Sequence, residues 1–269
     1  MDFLRDLAGW SVLAVAVLLL VVQLVAHEIG YRFGSARKPN VAGQAENVGV
    51  VVAGMLGLLA FVLALTLSYS TARFNERREG TLSEANAIGT AWLRAVAIGT
   101  PDAVKVARLL EDYLNAREAF VKAGFDSDAI ASANQETSRL QQSIWAGVSA
   151  IVRERPDPVT AALMASVNEV FDTGSAERFA MGIRLPPQIF WLLAGVMLLS
   201  MASVGYQFGL RGRPVRVLIL LLTIVWTAII VNILDLASPR VGNFRTNAIV
   251  YEWTRQGFSG MAAPPATSQ

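Results

Sequence analysis

The sequence predicts an all-α membrane protein of four transmembrane helices, with a helical-bundle insert between the second and the third. Three observations carry this. The 269 residues are 54% apolar and only 16% charged, whereas an average soluble domain is roughly 25% charged. The apolar excess falls in four blocks, each near the roughly 20 residues that a helix needs to cross a bilayer core of about 30 Å. Between the second and third blocks lies a polar stretch whose apolar residues recur at helical spacing and show no strand-like alternation.

The first two blocks make a hairpin over residues 1–72, with helices at about 9–28 and 48–70. Asp2, Arg5 and Asp6 do not form a positive leader segment, and a cleavage after Ala26 would put Leu24 where a small residue belongs. The first block therefore reads as a retained helix and not as a signal peptide. Gln23, His27 and Glu28 lie near its far end, suited to interfacial anchoring or to a helix–helix hydrogen bond. A zinc reading of His27 and Glu28 needs a second histidine, and the sequence has one only. Arg32, Arg37, Lys38, Pro39, Asn40 and Gly43 make a short polar loop. In the second helix Gly49, Ala53, Gly57, Ala60, Ala64, Ser68 and Ala72 recur at steps of three or four, giving one continuous face of small residues. Such a face allows close backbone approach between helices in lipid, and it can equally line a narrow pore.

No proline interrupts the chain from Val48 through Arg94, so the second helix is expected to leave the membrane and continue into a soluble domain over residues 73–185. Arg77 and Arg78 are expected at the membrane edge, where basic side chains meet headgroup phosphates. Thr100-Pro101-Asp102 is a start signal, with threonine at the cap and proline in the first turn. The helix that follows carries Val106, Leu109, Leu110, Tyr113, Leu114, Phe120 and Val121 and stops at Gly124. A second begins near Asp126-Ser127, places Leu140, Ile144, Val148 and Ile151 on one face, and ends at Pro156. Asp157-Pro158 opens a third, with Val159, Leu163, Val167, Val170 and Phe171 at the helical period. Together with the extension of the second helix these stripes suffice for one small bundle.

Pro186-Pro187 closes the insert and opens a second hairpin over residues 186–237, with helices at about 188–207 and 215–236. Arg211, Arg213 and Arg216 form its basic turn. Asn232 and Asp235 sit in the last turn, where an acid is expected to face protein or water. Residues 238–269 form a tail that composition reads as at least partly disordered, with prolines, glycines and a Pro-Pro-Ala-Thr-Ser end. An even number of spans puts both termini and the insert on one side of the membrane.

Several chemistries find no footing. A net charge of +2 gives no argument for nucleic acid. The sequence has no cysteine, hence no disulfide or thiolate metal site. It has neither a Gly-x-x-x-x-Gly-Lys phosphate loop nor a Gly-x-Ser-x-Gly elbow, and Asp126 and Asp128 are too few for a calcium loop. No enzyme activity, metal or cofactor is expected.

The most distinctive text is the run from Arg73 to Arg94. It holds an Arg73-Phe74 pair, the charged cluster Glu76-Arg77-Arg78, and then Glu84-Ala85-Asn86-Ala87-Ile88-Gly89-Thr90-Ala91-Trp92-Leu93-Arg94. This run resembles the signature of a bacterial family of membrane proteins described as bestrophin-like. The resemblance extends to Asn168-Glu169-Val170-Phe171-Asp172, to Arg178, and to Ile183-Arg184-Leu185-Pro186-Pro187. It holds only in part at Asp235-Leu236-Ala237-Ser238-Pro239-Arg240-Val241-Gly242, where further charged residues belong at Ala237 and Ser238.

The resemblance implies pentameric channels, mostly for anions, whose second transmembrane helix lines the pore and continues into a cytosolic helical part. The acidic calcium-binding cluster of animal bestrophins has no counterpart in this sequence. On the resemblance, the expected location is the cell inner membrane, with the insert and both termini cytoplasmic, and the expected partners are membrane lipid, further copies of the chain and small inorganic ions.

Glu84, Asn86, Thr90 and Arg94 are polar residues sharing part of one helix face, while Ala85, Ile88, Gly89 and Trp92 make an apolar and small one. Two readings stay open. One is a polar network that docks the bundle, with Glu84 pairing Arg178 or Arg94, and Asp172 and Asp235 as further members. The other is a polar ring round a permeation path, with Arg73, Arg77 and Arg78 drawing anions to its mouth. The corresponding functions are an oligomeric ion channel and a non-conducting scaffold or sensor whose helical domain binds a partner.

Overall fold

The computed structural model describes residues 12–37, 44–183, 186–212, 215–240, 244 and 246–260. Eight helices and no strand form among the described residues. They are α1 (Val12–Ala36), α2 (Gln44–Ile98), α3 (Pro101–Lys122), α4 (Ser127–Glu154), α5 (Pro158–Gly182), α6 (Pro187–Arg211), α7 (Arg216–Ala237) and α8 (Ile249–Gly260). The polar-loop residues Lys38, Pro39, Asn40 and Gly43, the motif residues Arg184 and Leu185, the turn residue Arg213 and the Pro-Pro-Ala-Thr-Ser end lie outside the described residues.

The described helices fall into two compact units. The first holds α1, α2 as far as Arg73, α6 and α7. Among the described residues four helical stretches are long and apolar enough to cross a membrane, and two of them, Val12–Ala36 and Arg216–Ala237, lie wholly in this unit. α1 runs past its apolar block through Arg32 to Ala36, and α6 runs past its block to Arg211. α1 and α6 cross at backbone contact. A Cβ built on Gly30 would stand 1.9 Å from the Ala202 carbonyl oxygen, and one on Gly34 would stand 2.2 Å from that of Tyr206. The reciprocal positions Gly205 and Gly209 would put a Cβ 2.0 Å and 2.3 Å from the carbonyl oxygens of His27 and Tyr31. Two glycine pairs, each four residues apart on facing helices, thus permit the approach that stabilises helices in lipid.

α1 is tied to α7 by Gln23, whose Nε2 donates to Thr227 Oγ1 at 2.8 Å. The buried side of α2 adds Leu59 and Leu63 to Leu193 and Met197 of α6 and Ile230 and Ile233 of α7. Asp235 is buried and accepts from the Phe244 backbone N–H at 3.5 Å. Asn232, on the exposed side, turns back on its own helix to donate to the Ala228 carbonyl.

The second unit holds α2 from Phe74 onward, α3, α4, α5 and α8. Its helices start where short polar side chains meet orphan N–H groups. Thr100 accepts from Ala103, Asp126 accepts from Asp128 and Ala129, and Asp157 forms a reciprocal box with Thr160. Gly99 and Gly124, with φ of 70° and 58°, supply the left-handed turns before α3 and after it. The stripes meet in one core, with Ile88, Leu110, Leu114, Leu140, Ile144, Leu163 and Val167 fully covered. Val159 departs from the expected stripe and is 53% exposed, because it lies in the first turn of α5, beyond the end of that core.

Residues 249–260, within the tail that composition reads as partly disordered, form α8 and dock on the bundle. Tyr251 and Phe258 are buried, and the Phe258 ring stacks on Trp92 with centroids 4.6 Å apart. Arg255 reaches α3, where its Nε donates to Asn115 Oδ1 at 3.1 Å and its guanidinium pairs with Glu118.

Candidate functional site

Two features of α2 stand out. The first is a face that the protomer leaves uncovered. In the first unit Ala53, Gly57, Ala60, Ala64 and Ser68 are all exposed, and Gly49 is half-buried against Gln207 and Arg211. Nothing lies within 4 Å of a Cβ built on Gly54 or Gly57. The small-residue face therefore does not mediate close approach inside the protomer, a task that falls to the glycines of α1 and α6. In the second unit the same helical period turns Asn75, Glu79, Leu82, Asn86 and Thr90 outward. Thr90 Oγ1 donates to its own helix at the Asn86 carbonyl, 3.0 Å away.

The flanking basic residues divide. Arg73 lies over the Tyr69 ring and the exposed Arg78 over the Phe74 ring. Phe74 itself is half-buried and Glu76 is exposed. Arg77, expected at the membrane edge, is only 2% exposed. Burial lowers its pKa, opposed by the charges of Glu76 and Glu177. The helix period explains the difference, because Arg77 shares the buried face with Thr81 and Glu84.

The second feature is a buried ionic cluster in the second unit. Glu84, expected to pair with Arg178 or Arg94, pairs with Arg117 of α3. Arg117 Nε donates to Glu84 Oε1 at 2.5 Å, and Nη2 to Glu84 Oε2 at 3.3 Å. The same Nη2 reaches Glu177 Oε2 of α5 at 3.1 Å and the Gly174 carbonyl at 3.3 Å. Tyr251 of α8 donates its hydroxyl to Glu84 Oε2 at 2.6 Å. Thr81 donates to Glu177 Oε1 at 3.1 Å and to the Arg77 carbonyl at 2.9 Å. A Cβ on Gly174 would lie 2.5 Å from the Tyr113 hydroxyl and 2.8 Å from Glu84 Oε1, so glycine makes the room the cluster occupies. Arg117 also lies over the Phe120 ring, as does Arg240, whose Nη1 donates to the Phe120 carbonyl at 2.7 Å.

The electrostatics are asymmetric. Glu84 receives most of the Arg117 fork and the Tyr251 hydroxyl, and Glu177 receives one arm of the fork and Thr81. Burial pushes the Glu177 carboxyl up to about 7, with the Glu84 charge adding to the rise and Arg117, Thr81 and Arg240 opposing it. Burial and the Glu84 charge also raise the hydroxyl pKa values of Tyr113 and Tyr251. The Arg117 pKa rises because its carboxylate and tyrosine partners outweigh the desolvation that would lower it.

The remaining predicted residues lie apart from the cluster. Arg94 is exposed and donates to the Ala162 carbonyl at 2.8 Å. Asp172 and Arg178 are exposed on α5, and Asp235 is buried in the first unit. Gly89 is half-buried, 3.4 Å from Thr254 of α8 by its would-be Cβ. Sequence reading placed Tyr113 on the apolar stripe and missed Arg117, Glu177 and Tyr251. A signal existed, since Arg117 stands among Tyr113, Leu114, Phe120 and Val121, and Glu177 follows Val170 by seven residues. Each is a charge on an apolar stripe.

No protein-family model and no curated protein matches the sequence. Solved structures are similar in fold. A bacterial bestrophin homologue from Klebsiella pneumoniae, phased by zinc SAD, superposes with a TM-score of 0.61 at 15% identity, covering 93% of this chain and 98% of that one. The same homologue with an isoleucine-to-threonine mutation gives 0.65 at 13% identity, covering 93% and 98%. A structure described as a membrane protein with a proline-to-alanine mutation gives 0.68 at 13% identity, covering 94% and 99%. At these identities the likeness is one of fold. The chain has a bestrophin-like membrane-protein fold over nearly its whole length.

Proposed function

We propose that the chain is a subunit of a homo-oligomeric ion channel of the bacterial bestrophin-like family, with the exposed face of α2 lining the path. The observation that carries this reading is the stripe Ala53, Gly57, Ala60, Ala64 and Ser68, uncovered in the protomer and followed on the same helix by Asn75, Glu79, Asn86 and Thr90. A lipid-facing surface is well served by leucine and valine, as on the exposed sides of α1 and α7. Small residues exposed along one line instead suit close approach of a second helix or a narrow aqueous path. Several copies meeting at an axis supply both.

The resemblance favours anions. The charges near the point where α2 leaves the apolar region offset one another, because Arg77 is buried and the half-buried Arg73 and exposed Arg78 stand against the exposed Glu76 and Glu79. The permeant ion is therefore a measured outcome. In this reading the protein sits in the cell inner membrane with the helical domain and termini in the cytoplasm, and a reporter enzyme fused to the C-terminus checks this by its compartment.

Purified protein in liposomes passes chloride or another small ion faster than empty vesicles, and native mass spectrometry gives a closed ring of identical subunits. Gly57→Leu keeps the folded protomer, since nothing lies within 4 Å of that site, and abolishes flux. Flux equal to that of empty vesicles overturns the channel and favours the non-conducting scaffold or sensor.

A further inference from the structure

α8 is the shortest helix of the second unit, with 12 residues against 22, 28 and 25 in α3, α4 and α5. A helix of that length is marginal on its own, so its order rests on what it docks against. Tyr251 in its first turn is wholly buried and donates to Glu84 Oε2 at 2.6 Å. Arg255 pairs with Glu118 of α3, and Phe258 stacks on Trp92 of α2. α8 adds Tyr251 and Phe258 to the core of the unit, where α3 alone adds Leu110, Tyr113, Leu114 and Phe120. Of the helices in that core, α8 therefore separates at the lowest cost. What it leaves behind is the buried ionic cluster, in which two carboxylates share the Arg117 guanidinium.

Charged and titratable groups meet Glu177 from several elements. α2 contributes Arg77, Thr81 and Glu84, α3 contributes Arg117, α8 contributes Tyr251, and Arg240 approaches from beyond α7. Tyr113 of α3 lies against Glu84, and Gln141 of α4 donates to its hydroxyl at 3.5 Å. Burial, aided by the Glu84 charge, outweighs the cations, so the Glu177 carboxyl titrates near 7, and contact with water returns it toward 4.5. Any opening that brings water onto the pair is thus coupled to loss of its proton. Such opening is least frequent below about pH 4.5, grows up to about pH 7, and is constant above that. Glu118 behaves differently. Burial acts to raise its carboxyl pKa, but Lys122 and Arg255 hold it below the ordinary value, so it stays ionised throughout. We infer that α8 is a proton-operated latch, seated on α2 and α3 while the Glu84–Glu177 pair holds a proton and released when that proton leaves. Release uncovers α2 at Gly89 and Trp92, against which Thr254 and Phe258 rest. The latch belongs to the second unit and does not rest on the channel reading.

The test is hydrogen–deuterium exchange of full-length protein in detergent from pH 5 to pH 8, corrected for the intrinsic rate at each pH. Linkage between about 4.5 and about 7 lowers the protection of α8 by up to about 70-fold over that range. At every pH α8 is also less protected than α4, because it opens without the rest of the unit. In Glu177→Gln the protection of α8 no longer changes with pH. In Arg255→Ala it drops by the same factor at every pH, since the Arg255–Glu118 pair does not titrate in this range. Equal protection of α8 and α4 in the parent means that the helix leaves only when the whole unit unfolds, and overturns the latch. Protection of α8 that stays flat in the parent while that of α4 falls overturns its coupling to the proton. A pH dependence that survives in Glu177→Gln, or one that vanishes in Arg255→Ala, assigns the titration to another group and overturns it likewise. Where Glu177→Gln fails to fold, the comparison of α8 with α4 in the parent decides alone. Ion flux enters none of these readouts, so their failure is separate from failure of the channel reading.

Discussion

Glu177 offers the sharpest test of the second unit. Its carboxyl is fully buried, shares Arg117 with Glu84, and titrates near 7 against an ordinary value of 4.5. An acid whose pKa rises on folding binds its proton more tightly in the folded state. Its contribution to stability is complete below the unfolded value, falls as the pH rises from about 4.5 to about 7, and is flat above that. At about 1.4 kcal/mol per pH unit, the interval corresponds to about 3 kcal/mol. For a chain of this size that is roughly 6–12 °C in melting temperature. Glu177→Gln keeps the shape and a carbonyl acceptor for Arg117 and removes the titration. Thermal unfolding of full-length protein in detergent, followed from pH 4.5 to 8, therefore shows the parent losing roughly 6–12 °C relative to Glu177→Gln as the pH rises. All other titrating groups cancel in that difference. Parallel curves for parent and variant refute the assignment.

Three further outcomes follow from contacts in the structure. Arg117→Ala leaves Glu84 and Glu177 buried without the cation they share, a loss of about 3–5 kcal/mol, seen as a collapse in folded yield on size-exclusion chromatography. Tyr251→Phe deletes the 2.6 Å bond to Glu84, weakens the domain by about 1.5–3 kcal/mol, and raises hydrogen exchange across α8 before α3, α4 or α5. Gly205→Val forces a Cβ to 2.0 Å from the His27 carbonyl oxygen, overpacking the α1–α6 crossing by about 3 kcal/mol or more, and unfolded protein in a detergent thermal-shift assay reports it.

Local signals read well and convergent ones did not. Thr100, Asp126 and Asp157 act on N–H groups two or three residues away, so their helix starts are legible in a short window. The unbroken α2 is legible for the same reason, since a missing proline is a local fact. Arg117, Glu177 and Tyr251 stand on three helices separated by 60 or more residues, and only the fold brings them to Glu84. A charge on an apolar stripe hints at burial without naming its partner. The glycines of α1 and α6 were missed on similar grounds, because their meaning lies in the facing helix. α8 was missed because its buried anchors, Tyr251 and Phe258, are two aromatics seven residues apart in a segment bounded by proline-rich text.

The buried cluster bears on the exposed face through helix geometry. At 100° per residue, Asn86 lies about 200° round the helix from Glu84, and Thr90 about 40° beyond Asn86. Holding Glu84 on Arg117 and Tyr251, and Thr81 on Glu177, therefore turns Asn86 and Thr90 outward in the second unit. The two readings of the Arg73–Arg94 run then cease to compete residue by residue. Glu84 belongs to docking, with Thr81 and Arg77 beside it, and Asn86 and Thr90 are left for whatever covers the outer face. Asn86→Ala and Thr90→Ala consequently change conduction or assembly without the loss of folded domain that follows from Arg117→Ala. A variant of Asn86 as destabilised as Arg117→Ala would mean that the rotation of α2 is set by something other than the cluster.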